Sequence, residues 1–380
     1  MTSTLSADEL HRYSRHISID SVGVDGQSRL KAARILVVGA GGLGSPTLMY
    51  LAAAGVGVMG IVDDDVVERS NLQRQVIHGE STMGTLKVES ASRRMKDINP
   101  LVEVRRIAAR LTAANCLDIL RDYDVVIDGS DNFPTRYLVN DACHFLGIPC
   151  VWGSVFQFTG QASVFNQKAG PCYRCLYPQA PPPELAPSCA EGGVFGALCA
   201  SVAAVQATEA IKLVLGHGRP LVGRLWLYDG SEAETQVLKV HKDPQCPLCG
   251  SAATITDLTD LSYVCAAPVA TPVEMISPET LAQRLERRHR DEDDFLLLDV
   301  REQFEWDIVH IDGARLVPQG QVPAQSASFP ADREIIVYCK SGGRSEKVAR
   351  SLKRDFARVL NLDGGVLAWA AKVDPSLPVY

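Results

Sequence analysis

The chain has 380 residues, which is more than one ordinary hydrophobic core requires, so we expect at least two domains. Hydrophobic residues make up 46% and charged residues 22% of the chain, a composition typical of globular proteins. The net charge of -7 provides no basic surface for nucleic acid. The first residues lack the basic and apolar regions of a signal peptide, so we expect a cytoplasmic protein.

Residues 1–250 alternate short β-branched runs with helical stretches, which predicts an α/β fold with a Rossmann-like, doubly wound sheet and helices on both faces. Their most apolar region, 35–62, is interrupted by glycines and Pro46, so it predicts strand, turn, helix and strand and no membrane span. A second apolar region, 194–215, contains charged and amide side chains and predicts a core or subunit-interface helix.

A glycine-rich turn follows the first buried strand, 34–38, and leads into a helix that extends to Ala54. A strand, a GxGxxG turn and a helix in this order form a nucleotide-binding pattern, because the backbone can approach phosphate and the helix N-terminus supplies N–H groups. The next strand ends at Asp63, whose carboxylate can bind ribose hydroxyls. Taken alone, this pattern favours NAD. The glycines of the pattern are Gly39, Gly41, Gly42 and Gly44.

Polar residues downstream of this turn favour ATP over NAD. Asp65, Asn71 and Arg74 lie where a dehydrogenase would usually continue its next βα unit. Lys87 opens an amphipathic helix over residues 86–98. Cationic side chains such as Arg74 and Lys87 can neutralise a triphosphate.

A further strand, 124–128, is followed by Asp131 and Asn132. Because parallel strands end at the same edge of a sheet, we expect Asp63 and Asp131 to lie side by side there, where doubly wound folds bind their ligands. A carboxylate such as Asp131 can hold Mg²⁺ or face the departing phosphates.

Two C-x2-C pairs predict a metal site in which four thiolates complete a closed tetrahedral shell around Zn²⁺. Such a site has a structural role, since no coordination position stays open for a substrate. A redox pair is the alternative, but proline and glycine in the second pair fit a zinc turn better. The predicted ligands are Cys172, Cys175, Cys246 and Cys249.

Cys189 lies in a glycine-flanked loop ahead of a long helix, whose N-terminus would favour the thiolate. The sequence leaves open whether this thiol is catalytic or only a small loop residue. The remaining cysteines of the first 270 residues are expected to fill core or linker positions: Cys116, Cys143, Cys150, Cys199 and Cys265.

Residues 251–276 are rich in Ala, Thr, Pro and Val and contain no Lys, Arg or His, so we interpret them as a linker. A second domain over 277–380 then begins with Ser277 as a helix N-cap and Pro278 as the first helical residue. Strands over 295–300 and 335–339 and a helix over 345–354 follow.

The second of these strands ends at Cys339, and a loop continues to Arg344 and into the helix. Loop N–H groups, together with the charges of Lys340 and Arg344, would favour a thiolate or persulfide at Cys339. Cysteine phosphatases have five residues between cysteine and arginine. The four residues here form a smaller ring that suits a single sulfur atom.

Five segments of residues 8–250 together resemble the ubiquitin-activating-like superfamily, and most of all the molybdopterin-synthase and thiamine-pathway adenylyltransferases. The segments are RYSRHI (12–17), GAGGLG (39–44), DDDVVERSNLQRQ (63–75), the Lys87 helix and DGSDNFPTR (128–136). The resemblance implies that ATP activates the C-terminal Gly-Gly carboxylate of a small ubiquitin-like carrier. It also implies a homodimer in which Arg74 reaches the other subunit's ATP, and a further triphosphate contact from Arg15.

Residues 277–380 resemble the rhodanese domain through LDVRE (298–302), HIDGA (310–314) and LDGGV (362–366), besides the Cys339 loop. Together the two halves resemble adenylyltransferase/sulfurtransferase fusions that serve sulfur-carrier proteins of molybdenum cofactor, thiamine or cysteine-type biosynthesis. The resemblance implies that a donor such as a cysteine desulfurase or thiosulfate loads Cys339 as a persulfide, which then converts the activated carrier to a thiocarboxylate. An NAD-dependent oxidoreductase and a non-catalytic carrier-docking scaffold are the alternatives.

Overall fold

The computed structural model describes residues 4–167, 170–181, 193–260 and 273–378. The chain divides into two compact units, Met1–Tyr263 and Val264–Tyr380.

The first unit is built on an eight-stranded sheet in the order β3-β2-β1-β4-β5-β6-β7-β8. Strands β3 to β5 in this order pair in parallel, and β6, β7 and β8 extend the sheet as antiparallel neighbours. The strands are β1 (Arg34–Val38), β2 (Val58–Val62), β3 (Glu103–Ile107), β4 (Val125–Asp128), β5 (Cys150–Phe156), β6 (Thr159–Phe165), β7 (Arg224–Asp229) and β8 (Glu234–Lys239).

Helices cover both faces of this sheet, which explains why the central strands consist of apolar residues on both sides. One hydrophobic cluster joins β1 to helices that include Leu48 and Met95, and a second joins β4 to helices that include Leu120 and Tyr137. The described helices of this unit are α1 (Ala7–Arg12), α2 (Ser14–Ile17), α3 (Gly23–Ala32), α4 (Gly44–Ala54), α5 (Lys87–Ile98), α6 (Cys116–Leu120), α7 (Phe133–Leu146), α8 (Tyr173–Leu176) and α9 (Gly196–Leu215).

The sheet order corrects one expectation about the site. Asp63 follows β2 and Asp131 follows β4, but β1 lies between these two strands, so the carboxylates flank the glycine-rich turn and are not side by side. Sequence order does not reveal strand order, because the chain crosses from β3 over to the far side of β1 before it forms β4.

Among the described residues, α9 is the helix long and apolar enough to cross a membrane, and half of its apolar window is buried inside the protein. It packs against α4 and against β5 and β6. Its polar residue Gln206 is fully buried and donates hydrogen bonds to the carbonyls of Asp128 (2.8 Å) and Val151 (3.4 Å). These contacts are those of a core helix of the sheet.

The second unit contains a parallel five-stranded sheet in the order β11-β10-β12-β13-β9. As predicted, Ser277 caps the first helix by accepting a hydrogen bond from the Thr280 N–H (3.1 Å), and Pro278 is its first residue. The elements are β9 (Glu274–Ile276), α10 (Pro278–Arg288), β10 (Phe295–Asp299), α11 (Gln303–Ile308), β11 (Arg315–Leu316), α12 (Val322–Gln325), β12 (Glu334–Tyr338), α13 (Gly343–Leu352), β13 (Val359–Leu362) and α14 (Gly365–Lys372).

Both ends of the segment interpreted as a linker contact a folded unit. Leu258 packs on the α6–α7 side of the first unit, and Asp260 accepts a hydrogen bond from the Ala113 N–H (2.8 Å). At the other end, Glu274–Ile276 forms β9 and pairs with β13. Residues 261–272, between these contacts, lie outside the described part of the chain.

Candidate functional site

A cavity of about 330 Å³ opens at the carboxyl ends of β1, β2 and β4. The glycine-rich turn, the segment after β2, the segment after β3 and the start of α7 form its walls. The lining residues include Gly39, Gly41, Gly42, Asp63, Asp65, Arg74, Gln75, Lys87, Arg110, Leu111, Ser130, Asp131, Asn132, Arg136, Val155 and Cys199.

The glycine-rich turn contains a backbone contact, between Gly39 and Gly44, that leaves no room for a side chain on Gly44. A Cβ atom on Gly44 would lie 1.9 Å from the carbonyl oxygen of Gly39, and Gly39 has a left-handed φ of 87°. The part of the turn that lines the cavity is Gly41, Gly42 and Leu43, just before α4 begins at Gly44. Within the first turn of α4, Pro46 has no N–H, and the Ser45 N–H donates to the Gly41 carbonyl (2.8 Å). The backbone at Gly41 and Gly42 suits a phosphate group.

Asp63 is anchored at the mouth of this turn. Its carboxylate accepts hydrogen bonds from the Ala40 N–H (2.8 Å) and the Asp65 N–H (2.9 Å). Burial raises the pKa of Asp63, and the nearby ammonium of Lys87 opposes that rise. The buried Lys87 donates to Asp65 (2.7 Å), whose side chain is 67% exposed, so the lysine can exchange this partner for a phosphate.

The remaining predicted ATP residues divide into those that line the cavity and those that do not. Arg74 lines the cavity of its own chain and donates to the Ser70 carbonyl (3.1 Å). Asp131 and Asn132 line it too, but Asn132 also caps α7 by accepting from the Thr135 N–H (3.0 Å).

Three predicted ATP residues, Arg15, Gly44 and Asn71, are absent from the described lining of the main cavity. Asn71 borders a smaller adjoining cavity of about 130 Å³ with Asp65 and Lys87. Its side chain accepts a hydrogen bond from the Glu68 N–H (3.1 Å). Arg15 lies on α2 and is absent from the described lining of either cavity.

Two further groups line the cavity that sequence reasoning did not select. Arg110 and Leu111 follow β3, in a stretch with no motif to mark it. Arg136 is buried, donates to the Ser130 carbonyl (3.3 Å), and its Nε atom has no hydrogen-bond partner in the described structure. Its place in DGSDNFPTR, one helical turn after Asn132, is the signal that could have identified it.

His78 contacts the glycine-rich turn, and the sequence analysis did not identify it. Its imidazole bonds with the Ala40 carbonyl (3.0 Å) and with the Ser90 hydroxyl (2.9 Å), and the ring is buried. Burial lowers the pKa of His78, so the ring is neutral at neutral pH. Ala40 is thus held on both sides, its N–H by Asp63 and its carbonyl by His78.

The four predicted zinc ligands come together in the first unit. Their sulfur atoms all lie within 4.8 Å of one another. The pairs Cys172–Cys246 and Cys175–Cys249 are separated by 3.5 and 3.4 Å, and Cys172–Cys175 by 3.8 Å. Zn–S bonds of about 2.3 Å in a tetrahedron place sulfurs about 3.8 Å apart, so the cluster fits Zn²⁺.

The electrostatics of this cluster also favour a cation. Burial raises the pKa of Cys249 to about 12, and burial with the neighbouring thiols raises the pKa of Cys172 further. Backbone N–H groups, in contrast, hold the pKa of Cys246 below its ordinary value. A divalent cation would offset the repulsion among four thiolates.

In the second unit, the loop after β12 wraps around the sulfur of Cys339. The Gly342 N–H donates to this sulfur (3.2 Å), and the Ser345 hydroxyl lies 3.3 Å from it. Cys339 is only 1% exposed. The sulfur is therefore buried inside its loop, near the N-terminal end of α13.

The sequence predicts that Arg344 adds positive charge beside Cys339, but in the structure this arginine is paired with a carboxylate. Arg344 donates two hydrogen bonds of 2.7 Å to the carboxylate of Glu305 on α11, whose side chain is buried. This bidentate pair compensates the arginine charge, so Arg344 adds less positive charge around Cys339 than expected. The correction required the tertiary structure, because Glu305 is far from Arg344 in sequence.

Cys189, the candidate second thiol, lies outside the described residues, as does Cys265. The other cysteines expected to fill the core are Cys116, Cys143, Cys150 and Cys199, and all four are buried. Cys199 also lines the nucleotide cavity.

Two family profiles match this chain. The profile of the ThiF family matches residues 13–248, and that of the rhodanese-like domain matches residues 277–372. The first match includes the nucleotide cavity and the cysteine cluster, and the second includes the Cys339 loop.

Relatives of known annotation match nearly the whole chain. The probable adenylyltransferase/sulfurtransferase MoeZ of Mycobacterium tuberculosis is 49% identical and is matched over 100% of this chain and 97% of its own length. The adenylyltransferase and sulfurtransferase MOCS3 of Bos taurus is 41% identical, over 99% of this chain and 89% of its own.

Among solved structures, E. coli MccB with ATP superposes with a TM-score of 0.56 at 23% identity, over 63% of this chain and 74% of that chain. The structure of PaaA gives a TM-score of 0.55 at 20% identity, over 64% and 77% of the two chains. At these identities the likeness concerns the fold alone.

We predict that Cys175→Ser and Cys249→Ser each lower the zinc content and the melting temperature. Removing a ligand leaves an incomplete shell around a structural ion and loses folding free energy. Metal analysis and thermal unfolding of the purified full chain test this. Cys116→Ser is the control, because it alters a buried thiol outside the cluster and should retain the metal. Equal metal content in all three variants would contradict the zinc site.

We also predict that His78→Ala raises the KM for ATP several-fold, since the Ala40 carbonyl loses the imidazole hydrogen bond, with a net contribution of about 0.5–1.5 kcal/mol, and retains only that from the Ser45 hydroxyl (3.2 Å). The folded-state pKa of His78 is depressed, so its contribution to stability is present above its ordinary value of 6.5 and is lost as pH falls. The variant should therefore lose stability less steeply than the parent between neutral and mildly acidic pH.

His144→Ala is the matched control for this prediction. Burial also lowers the pKa of His144, but this residue is absent from the described cavity lining. It should change the pH dependence of unfolding and leave the KM for ATP unaltered. If the two variants had the same KM, His78 would have no role in the phosphate turn.

Proposed function

The chain belongs to the ThiF family and carries a C-terminal rhodanese-like domain, and on this premise we propose that it adenylates a small ubiquitin-like sulfur carrier and then transfers sulfur to it from Cys339. It is an adenylyltransferase and sulfurtransferase. The observation that carries the proposal is that one chain contains both a nucleotide cavity at a glycine-rich turn and a cysteine held in a sulfur-sized loop.

In the first step, the C-terminal Gly-Gly carboxylate of the carrier attacks the α-phosphate of ATP and gives an acyl-adenylate and pyrophosphate. The glycine-rich turn at Gly41 and Gly42 binds phosphate, and Asp63 binds the ribose through the carboxylate lone pairs that Ala40 and Asp65 leave available. Lys87 and Arg74 compensate the charge that develops on the triphosphate.

Carboxylates of the cavity would hold the Mg²⁺ that accompanies ATP. Asp131 lines the cavity and is the candidate ligand, and the exposed Asp64 and Asp65 lie in the same cavity, next to the ribose-binding Asp63. Oxygen ligands of this kind suit Mg²⁺, which would screen the phosphate charge.

In the second step, a persulfide on Cys339 attacks the acyl carbon and displaces AMP, which gives an acyl disulfide. The outer sulfur would lie about 2 Å from the buried Cys339 sulfur, and it must reach the loop surface to attack. A thiol then attacks the Cys339 sulfur, releases the carrier thiocarboxylate, and forms a disulfide that a second thiol reduces. Cys189 or an external thiol would supply the first attack.

We further propose a homodimer formed through the exposed side of α9. That side carries small residues, and Tyr50 of the neighbouring α4 is 59% exposed. An apolar surface of this kind is typical of subunit interfaces. Arg15 and Arg74 would then belong to a composite site. The small exposed residues are Ala197, Ala200, Ser201, Ala204 and Thr208.

The remaining assignments rest on chemistry. Zn²⁺ would be structural, because four cysteines close its shell. The sulfur donor would be a cysteine desulfurase or thiosulfate. All described cysteines are free thiols, which fits the reducing cytoplasm. The thiocarboxylate product would serve molybdenum cofactor, thiamine or cysteine-type biosynthesis.

The two alternatives from the sequence are less well supported. An oxidoreductase needs a place for nicotinamide beside proton-transfer groups, whereas the described cavity is lined by Lys87, Arg74 and Asp131. A docking scaffold would not need these charged groups around a preserved phosphate turn. Equilibrium binding of ATP and NAD to the full chain tests the oxidoreductase alternative. Carrier-dependent ATP–pyrophosphate exchange tests the docking-scaffold alternative.

We predict that Lys87→Ala and Asp131→Ala each reduce carrier-dependent ATP–pyrophosphate exchange at least a hundredfold, because preorganised charges around a reacting phosphate contribute about 3–4 kcal/mol. Arg93→Ala is the control, since Arg93 is exposed on the same helix as Lys87 and lies outside the described cavity lining. Exchange at the parental rate in the Lys87 and Asp131 variants would rule out the adenylation site.

We predict that Cys339→Ala abolishes thiocarboxylate formation and leaves ATP–pyrophosphate exchange intact, because the two steps use different units of the chain. Mass spectrometry of the carrier detects the sulfur-for-oxygen exchange. Lys87→Ala serves as the reciprocal control, since it should retain a persulfide on Cys339 while losing adenylation. An undiminished thiocarboxylate yield from Cys339→Ala would disprove the role of this cysteine.

A further inference from the structure

The carbonyl oxygen of Gly342, in the Cys339 loop, has more hydrogen-bond donors than it can use. The Glu346 N–H lies 3.0 Å from it, the Asn361 amide 3.1 Å, and the Ser345 hydroxyl 3.0 Å. A carbonyl oxygen has two lone pairs. Three donors therefore compete for two acceptor positions.

Ser345 is the donor that has a second acceptor within reach. Its side chain is fully buried, and its oxygen lies 3.3 Å from the Cys339 sulfur as well as 3.0 Å from the Gly342 carbonyl. A hydroxyl has one proton, so it donates to one of these acceptors at a time. With Glu346 and Asn361 already bonded to the carbonyl, the hydroxyl proton is free to point at the sulfur.

Asn361 presents its amide nitrogen to Gly342, while its buried amide oxygen has no hydrogen-bond partner in the described structure. It lies on β13, is 1% exposed, and pairs in register with Val337 of β12. Its nitrogen donates to the Gly342 carbonyl and to the sulfur of Met275 (3.7 Å). A flipped amide would place oxygen against oxygen at Gly342, which is repulsive, so the carbonyl selects the donor orientation.

We propose that Asn361 is a positioning residue for sulfur transfer: by occupying the Gly342 carbonyl, it directs the Ser345 hydroxyl proton to the sulfur of Cys339. The inference rests on the proposed role of Cys339 as the sulfur-carrying residue. A hydrogen bond to an anionic sulfur is stronger than one to a neutral thiol, so this arrangement stabilises the thiolate and persulfide forms. Together with the Gly342 N–H, it provides two donors to the sulfur.

The test measures how fast iodoacetamide alkylates Cys339 in the full chain as a function of pH, with peptide mass spectrometry to isolate this cysteine from the others. Ser345→Ala should move the midpoint of the profile upward by about one pH unit, equivalent to a tenfold smaller thiolate fraction. Asn361→Ala and Asn361→Leu should move it upward by a smaller amount. Ser345→Thr retains the hydroxyl and should restore the parental midpoint.

The decisive comparison is the double variant Ser345→Ala/Asn361→Ala. Its midpoint should equal that of Ser345→Ala, because without the hydroxyl Asn361 has no proton to direct. Additive shifts, or an unchanged midpoint in Ser345→Ala, would overturn the proposal. An Asn361 variant that loses stability without moving the midpoint would do the same.

Controls separate this outcome from general destabilisation. Ser277→Ala removes the N-cap of α10 in the same unit, so it should lower the melting temperature and leave the midpoint unchanged. The charged side chains around the loop, Lys340, Arg344 and Glu305, stay in place in every variant. Failure of the proposed function would appear independently, as thiocarboxylate formation by Cys339→Ala.

Discussion

The nucleotide site depends on a backbone approach that only glycine permits. The carbonyl of Gly39 lies so close to Gly44 that a methyl group there would overlap it, and Gly129, at the end of β4, lies against the same turn. This approach brings the start of α4 onto the ends of β1 and β4. Gly41 and Gly42, which line the cavity, lie between Gly39 and Gly44 in the chain, and Asp131 follows Gly129 by two residues.

In the second unit, a close backbone approach at a glycine likewise positions the loop around the Cys339 sulfur. Gly365 has a left-handed φ of 60°, and a Cβ there would lie 2.4 Å from the carbonyl of Cys339. The first N–H groups of α14 consequently bond the loop, Val366 to Cys339 (2.9 Å) and Leu367 to Lys340 (3.1 Å). The loop therefore lies between the N-terminal ends of two helices, and both ends favour negative charge.

The charged pairs of the two sites differ in burial, and this difference suits their chemistry. Lys87 is buried, but its partner Asp65 is largely exposed, so the pair is weak and can open for a phosphate. Arg344 and Glu305 form a bidentate pair with a buried carboxylate, and breaking it would leave a buried charge unpaired. The first pair can exchange partners at low cost, as the proposed phosphate ligand requires, whereas the second joins α11 to the Cys339 loop.

The sequence by itself predicted strands β1, β2, β4, β10 and β12, the glycine-rich turn, the cysteine pairs and the Cys339 loop, because each depends on residues that are close along the chain. Strand β1, helix α4 and the Ser277 cap lie where local patterns predict them. Only the tertiary structure decided which distant groups meet. Strand order placed Asp63 and Asp131 on either side of the glycine turn, and folding brought Glu305 to Arg344 and Asn361 to Gly342. These contacts join segments that are far apart along the chain, and no local sequence pattern indicates which of them pair. Hydrogen bonding and burial in the folded state therefore decide the pairing.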